Sequence, residues 1–252
     1  MVSTFRSARP TAGLIRAVLF DAAGTLLAVR EPVGETYARF ALREGIVAEA
    51  DALENGFRRA FHKAEPLAFP RASPGRIRAL EREWWWRRVS DAFRAAGVDP
   101  SRRAVARTFA AVFEHFATRA AWRLFTDVKP ALRLLRAYGL RLAVVSNFDT
   151  RLLTLLEGFG VSSSFDAVVL SSTVGFAKPD PRLFTAALSA LRVTTATALH
   201  VGDSERLDRR AARAAGLRAL RLDRGGRSTR HVIASLEELP ERVSGDPYDL
   251  RD

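Results

Sequence analysis

The 252-residue sequence has no cysteine, which excludes disulfides, thiolate metal sites and a cysteine nucleophile. Its four histidines, His62, His115, His200 and His231, are scattered without metal-ligand spacing, so no imidazole-based metal site is expected. Long apolar runs are missing too. No window approaches the roughly 18 uninterrupted apolar residues that read as a membrane helix. The apolar run nearest the N-terminus is broken by Asp21 and lacks a small-residue cleavage site, so neither a membrane span nor a secretion signal is expected, and the expected compartment is the cytoplasm. Lysine is nearly absent: only Lys63, Lys129 and Lys178 appear among 40 basic residues, which against 28 acidic ones leave a net charge of +12. That charge is the first mark of a nucleic-acid binder, but the arginines are interleaved with alanine along the whole chain, the pattern of a compositional bias. No specific nucleic-acid partner is expected, although nonspecific adhesion at low salt follows from the charge.

Nearly half the residues are apolar, enough for a substantial core. After a polar lead of residues 1–13, read as a loose tail, "LIRAVLF" has the character of a short buried strand that delivers Asp21 at its C-terminal end. From Glu31 to Arg119 the strand signal disappears. Apolar residues recur there at helical spacing in "VGETYARFALREG", "DALENGFRRAFHKA", "RIRALEREWWWRRVSDAFRAAG" and "SRRAVARTFAAVFEHFAT", interrupted by the proline-rich loop "EPLAFPRASPG". From Phe125 onward strands and helices alternate: "KPALRLLRAYG" is a helix, "LRLAVVS" a strand, "TRLLTLLEGFG" a helix, "FDAVVLSS" a strand, "DPRLFTAALSAL" a helix, "ALHVG" a strand, "RRAARAAG" a helix and "LRALRLD" a strand. Strict alternation implies parallel β-α-β units. The expected fold is α/β, a doubly wound parallel sheet of Rossmann-like type formed by residues 14–30 and 120–240, with an α-helical cap inserted as residues 31–119. The polar stretch after Pro240 reads as peripheral.

In such a sheet the strand ends converge on one edge. There this sequence places Asp21, then Ser146 with Asn147, then Lys178 in "GFAKPDP", then Asp203 and Asp208 in "GDSERLD". Several carboxylates in one place repel unless a divalent cation lies between them, and all-oxygen ligation suits Mg²⁺. A lysine at the same point holds Asp21 ionised and neutralises an incoming anion, whose remaining oxygens the Ser146 hydroxyl and nearby backbone N–H groups can take.

The four segments "FDAAGTL", "VVSNFD", "GFAKPDP" and "HVGDSERLDRRAARAAG" resemble, in order and spacing, the four motifs of the haloacid dehalogenase-like hydrolase superfamily over roughly residues 15–235, and the early helical insert resembles its cap. "PVGETYA", "ALENGFRRAF" and "WWW" look most like the subgroup of haloacid dehalogenase-like hydrolase domain-containing protein 3. The resemblance implies a Mg²⁺-dependent hydrolase, a phosphatase acting on a small phosphorylated metabolite. Asp21 is implied as nucleophile, forming an aspartyl-phosphate. Lys178 is implied as its catalytic partner and Ser146 and Asn147 as phosphoryl-binding residues. Asp21, the carbonyl of Ala23, Asp203 and Asp208 are implied for the metal.

The departure is Ala23. Phosphatases of the superfamily carry there a second aspartate that protonates the leaving group, and a positioned general acid is worth about 10²–10⁴ in rate. Three readings stay open: a phosphatase that works slowly or on good leaving groups; a phosphonate hydrolase with Lys63, the cap's lone lysine, as Schiff base; and a catalytically silent phosphate- or partner-binding protein. Each residue also has a plainer role. Asp21 can cap a turn and Asp208 a helix, Ser146 and Asn147 can start one, and Lys63 and Lys178 can be solvated. Trp84, Trp85 and Trp86 point about 100° apart on a helix, so at most two share a face, and they are read as packing the cap's interior with one facing the cleft. Arg58 and Arg59 are candidates for gripping an anion, without a signal that separates them from the other arginines.

Overall fold

The computed structural model describes residues 15–244, so the expected tail at residues 1–13 and the boundary residue 14 lie outside the described residues. In chain order, β1 (Ala17–Phe20) is followed by the short β2 (Leu27–Val29) and four helices, α1 (Val33–Arg43), α2 (Ala50–His62), α3 (Ile77–Ala95) and α4 (Arg103–His115). The chain returns through β3 (Trp122–Leu124) to α5 (Val128–Ala137), β4 (Arg141–Ser146), α6 (Arg151–Gly158), β5 (Ala167–Leu170), the single turn α7 (Ser171–Val174) and α8 (Pro181–Leu191). Next come β6 (Ala198–Gly202), a π-helical segment Glu205–Arg210 that runs into α9 (Ala211–Ala214), β7 (Arg218–Leu222), β8 (Val232–Ile233) and α10 (Leu239–Ser244).

Six strands form one parallel sheet in the order β5-β4-β1-β6-β7-β8. The period of two along each strand sorts its side chains between two apolar layers. Val18, Phe20, Leu142, Val144, Leu199 and Val201 join the layer beneath α5, α6 and α10, whereas Ala17, Leu19, Ala143, Val145 and Ala198 face α8 and α9. Both faces are therefore covered, which is why the strands read as continuous apolar runs. β1 lies between β4 and β6, with Phe20 level with Val144 and Val201. The residues just beyond these three strands are thereby forced together.

The helices α1–α4 bury their own cluster, which includes Tyr37, Leu53, Val89, Phe93, Phe109 and Val112. Two glycines let these helices approach: a Cβ on Gly34 would meet the Ala50 carbonyl oxygen at 2.2 Å, and one on Gly56 would come within 2.9 Å of that of Ala92. The two chain crossings between this helical block and the sheet are hydrogen-bonded to each other as an antiparallel ladder, Leu27 opposite Leu124 and Val29 opposite Trp122.

Several expectations change. β2, β3 and β8 have three, three and two residues, too short for an alternation to register. The serines after β5 turn into α7 instead of extending the strand. The helix expected from Arg209 begins at Glu205, capped by the Ser204 hydroxyl accepting from the Leu207 N–H, so Asp208 lies inside it and is not ahead of it. The stretch after Pro240 is not wholly peripheral, since Val243 is buried in the main core. No helix among the described residues is long and apolar enough to cross a membrane.

Candidate active site

Asp21 follows directly on β1, and its N–H continues the ladder by donating to the Val201 carbonyl at 2.9 Å. Its Oδ1 accepts two hydrogen bonds, from Lys178 Nζ at 2.6 Å and from the Ser146 hydroxyl at 3.1 Å. No protein donor among the described residues reaches Oδ2, so one oxygen of the carboxylate is free for an electrophile or a cation. Lys178 is buried and also donates to Asp208 Oδ1 at 2.6 Å. Asp208 Oδ1 further contacts His200 Nε2 at 3.0 Å, and its Oδ2 accepts from the Ser204 N–H at 3.0 Å. Gly202 makes this possible, because a Cβ there would lie 2.2 Å from the Asp208 carboxyl carbon.

Electrostatics separate the carboxylates. Burial, opposed by Lys178 and reinforced by Asp208, raises the Asp21 pKa above the ordinary value. For Asp208 burial acts the same way, but the hydrogen bond from His200 and the charge of Lys178 win and hold it far below the usual range. Burial alone would lower the Lys178 pKa; the two carboxylates outweigh it and raise it, so the lysine stays charged. Asp203, with its side chain open to solvent at the rim, is pushed up to about 6 by partial burial and then by the charges of Asp21 and Asp208. Carboxylate oxygens of Asp21, Asp203 and Asp208 lie within 4.8 Å of one another. Three carboxylates against one ammonium leave the cluster negative, and an all-oxygen donor set of this kind fits Mg²⁺. Both oxygens of Asp208 are engaged by protein donors, so Asp203 and the free oxygen of Asp21 are the donors open to a cation directly.

The structure thus brings Asp21, Ser146, Lys178, Asp203 and Asp208 to one sheet edge. Asn147 is close by in a different capacity: its Oδ1 accepts from the Lys178 N–H at 2.7 Å and its Nδ2 donates to the Lys178 carbonyl at 3.0 Å, so the side chain is spent clamping the lysine's main chain. Ala23 is exposed, on a turn where Gly24 adopts φ +87° and lies under Asp203. Lys63 is exposed at the end of α2, away from the cluster at the sheet edge. Arg58 is exposed and paired with Glu54, and Arg59 is exposed.

A family model described as haloacid dehalogenase-like hydrolase matches residues 15–216. The chain belongs to the haloacid dehalogenase-like hydrolases. Among its relatives, haloacid dehalogenase-like hydrolase domain-containing protein 3 of Bos taurus is 39% identical over 203 residues, 81% of this chain and 80% of that protein. A phosphoserine phosphatase of Thermus thermophilus is 40% identical over 136 residues, 54% of this chain and 53% of that enzyme. Among solved structures, a HAD phosphatase from Thermococcus onnurineus superposes with a TM-score of 0.63 at 24% identity, covering 92% of this chain and all of that one, a likeness of fold.

In this haloacid dehalogenase-like hydrolase the three consecutive tryptophans of α3 do three different things. Trp84 donates its indole N–H to the Glu65 carbonyl at 2.9 Å, and Trp86 packs edge-on against Phe109 inside the helical block. Trp85 reaches across to the sheet, donating to Asp149 Oδ2 at 2.6 Å. The sequence gives no sign of that contact, nor of His200 as the partner of Asp208. The nearest signal for His200 is its place on β6, three residues before Asp203, with its side chain on the opposite face from Leu199 and Val201.

Proposed function

We propose that this hydrolase is a Mg²⁺-dependent phosphatase that acts on small phosphorylated metabolites through an aspartyl-phosphate on Asp21. The observation that carries the reading is the convergence of Asp21, Ser146, Lys178 and Asp208 in one hydrogen-bonded cluster with Asp203 at its rim. Asp21 attacks phosphorus with one carboxylate oxygen as the bond to the leaving oxygen breaks, and the leaving group departs with that electron pair. Lys178 keeps Asp21 ionised and balances the phosphoryl charge, while Ser146 donates to a phosphoryl oxygen. Asn147 contributes by fixing the main chain of Lys178. Water then attacks phosphorus, the bond to Asp21 breaks, and inorganic phosphate leaves with the aspartate restored as a carboxylate. Asp21, Asp203 and the Ala23 carbonyl would hold Mg²⁺, with Asp208 reaching it through a water, and the ion would supply charge screening for the carboxylates and the phosphoryl group. Residues 14–30 and 120–240 form the core in this reading, residues 31–119 act as a cap that excludes water from the acyl phosphate, and the protein works in the cytoplasm.

Ala23 can neither protonate a leaving alkoxide nor activate water. Good leaving groups are therefore the expected substrates, and an aryl phosphate is the test. Turnover that needs Mg²⁺, stops with chelator and is absent in Asp21→Asn is the expected result; no turnover above that blank would overturn the reading in favour of a binding protein. Ala23→Asp is expected to raise turnover of an alkyl phosphate by about 10²-fold, within the usual worth of a general acid. The side chain at 23 is already open to solvent, so the new carboxyl does not have to be forced into the core. An alkyl phosphate rate equal to wild type would show that position 23 does not face the leaving group.

A further inference from the structure

After Ser146 at the end of β4, Asn147, Phe148, Asp149 and Thr150 lead to Arg151 at the start of α6, and α3 of the helical block grips this connection from the other side. Glu81 on α3 is 1% exposed, and its two oxygens accept from the Thr150 N–H at 3.0 Å and the Thr150 hydroxyl at 2.5 Å. One helical turn along, Trp85 donates to Asp149 Oδ2. Asp149 is fully buried; its Oδ1 accepts from the Arg151 N–H at 3.0 Å, and both its oxygens pair with the Arg151 guanidinium, which packs over Trp85 and Phe113 and donates to the Phe113 carbonyl at 3.2 Å. The first turn of α6 thus takes a carboxylate from its own loop and a second from the helical insert. Leaving a buried carboxylate without a cationic partner is unfavourable, and one that accepts from a backbone N–H at a helix start is aimed at the favourable end of that helix.

We propose that Glu81 and Trp85 are positioning residues: by seating on Thr150 and Asp149 they set the Ser146–Asn147 loop and, through the Asn147 clamp, the register of Lys178 against Asp21. The chain of contacts is continuous. Glu81 fixes Thr150 and Trp85 fixes Asp149; two residues upstream Asn147 holds both main-chain groups of Lys178; Lys178 and Ser146 hold Asp21. A seated insert therefore completes the site, and an unseated one leaves Lys178 free to drift. This rests on the phosphatase reading for its consequence, but its physical content does not need turnover to be seen.

The test is amide hydrogen exchange at Lys178, whose N–H donates to Asn147 Oδ1 and touches neither Glu81 nor Trp85. Glu81→Met keeps the volume and removes both acceptors. It is expected to speed exchange at Lys178 by about tenfold, the size of losing a buried hydrogen-bonded pair. Glu81→Gln is expected to restore the wild-type rate, since an amide can accept from the Thr150 N–H and donate to its hydroxyl. Trp85→Phe, which keeps the ring and loses only the N–H, serves where Glu81→Met does not fold, and is expected to shift Lys178 in the same direction. With an aryl phosphate, the same variants are expected to lower kcat and kcat/KM together with KM little changed, the mark of an interaction that matters in the transition state. Faster exchange confined to residues 149–151, with Lys178 unchanged, would overturn the proposal and leave the contacts as simple packing. Unchanged kcat with altered Lys178 exchange would retain the coupling and overturn its place in catalysis. Absence of activity in the wild type would count against the phosphatase alone.

Discussion

Replacing Asp21 by asparagine is expected to lower aryl phosphate turnover by at least about 10⁴-fold, the scale on which removal of a covalent nucleophile acts, and to leave the protein at least as stable as the wild type. The second half follows from the site's electrostatics. Burial raises the pKa of Asp21 above its unfolded value, so its ionised form is disfavoured in the fold and costs stability at neutral pH. Asparagine keeps the shape and removes that cost, while Lys178 retains Asp208 as a partner. Melting temperature and turnover measured on the same purified variant separate the two effects. Residual activity within tenfold of wild type would rule Asp21 out as nucleophile, and a marked fall in melting temperature would mean that the aspartate's hydrogen bonds from Ser146 and Lys178 outweigh the burial of its charge.

Lys178→Met is expected to be the most destabilising substitution in the site. It keeps the side-chain length but leaves Asp21 and Asp208 buried beside each other with no ammonium between them, and stripping one partner from a buried ion pair costs about 3–5 kcal/mol. The sign is set by Lys178 itself: its pKa in the fold is raised, so its charge contributes stability from low pH up through neutrality and withdraws it only as pH rises through the folded value. Urea unfolding at neutral pH measures the loss. In an Asp21→Asn background the same change is expected to cost less, because only Asp208 then lacks its cation. A loss under about 1 kcal/mol, the range of exposed pairs, would show that solvent reaches the cluster. In the otherwise wild-type protein, activity is expected to vanish with the lysine.

The core of this arrangement was open to reading because its causes are local. Asp21 stands at the end of an apolar run whose alternation builds β1, and Lys178 stands out as one of three lysines in an arginine-rich chain. The strands that converge on them carry their polar residues at their C-terminal ends. What escaped reading depends on distance in sequence. Glu81 and Thr150 are 69 residues apart, and nothing in "RALEREWWW" distinguishes a glutamate bound for the sheet from its exposed neighbour Glu83. Helix α3 buries residues on more than one side, among them Glu81, Trp84 and Ser90, so its apolar stripe is blurred where its contacts matter most. Asn147 was legible as the polar residue after a strand end but not as a clamp, because a backbone partner leaves no mark in the side-chain pattern. The early start of the helix after β6 was hidden for a similar reason: it rests on the Ser204 hydroxyl and on a wide π-turn, which no spacing of apolar residues records.

The ladder between β2 and β3 places Val29 directly opposite Trp122, so the chain enters and leaves the helical block at adjacent points. Paired residues in an antiparallel ladder have Cα atoms only about 4.5–5.5 Å apart, a gap that a two-residue hairpin turn closes. The ninety or so residues between them are, to the rest of the chain, topologically equivalent to a tight turn. An architecture of this kind lets what lies beyond the ladder be lengthened or shortened without breaking the sheet, provided that the contacts of Glu81 and Trp85 to Thr150 and Asp149 are kept.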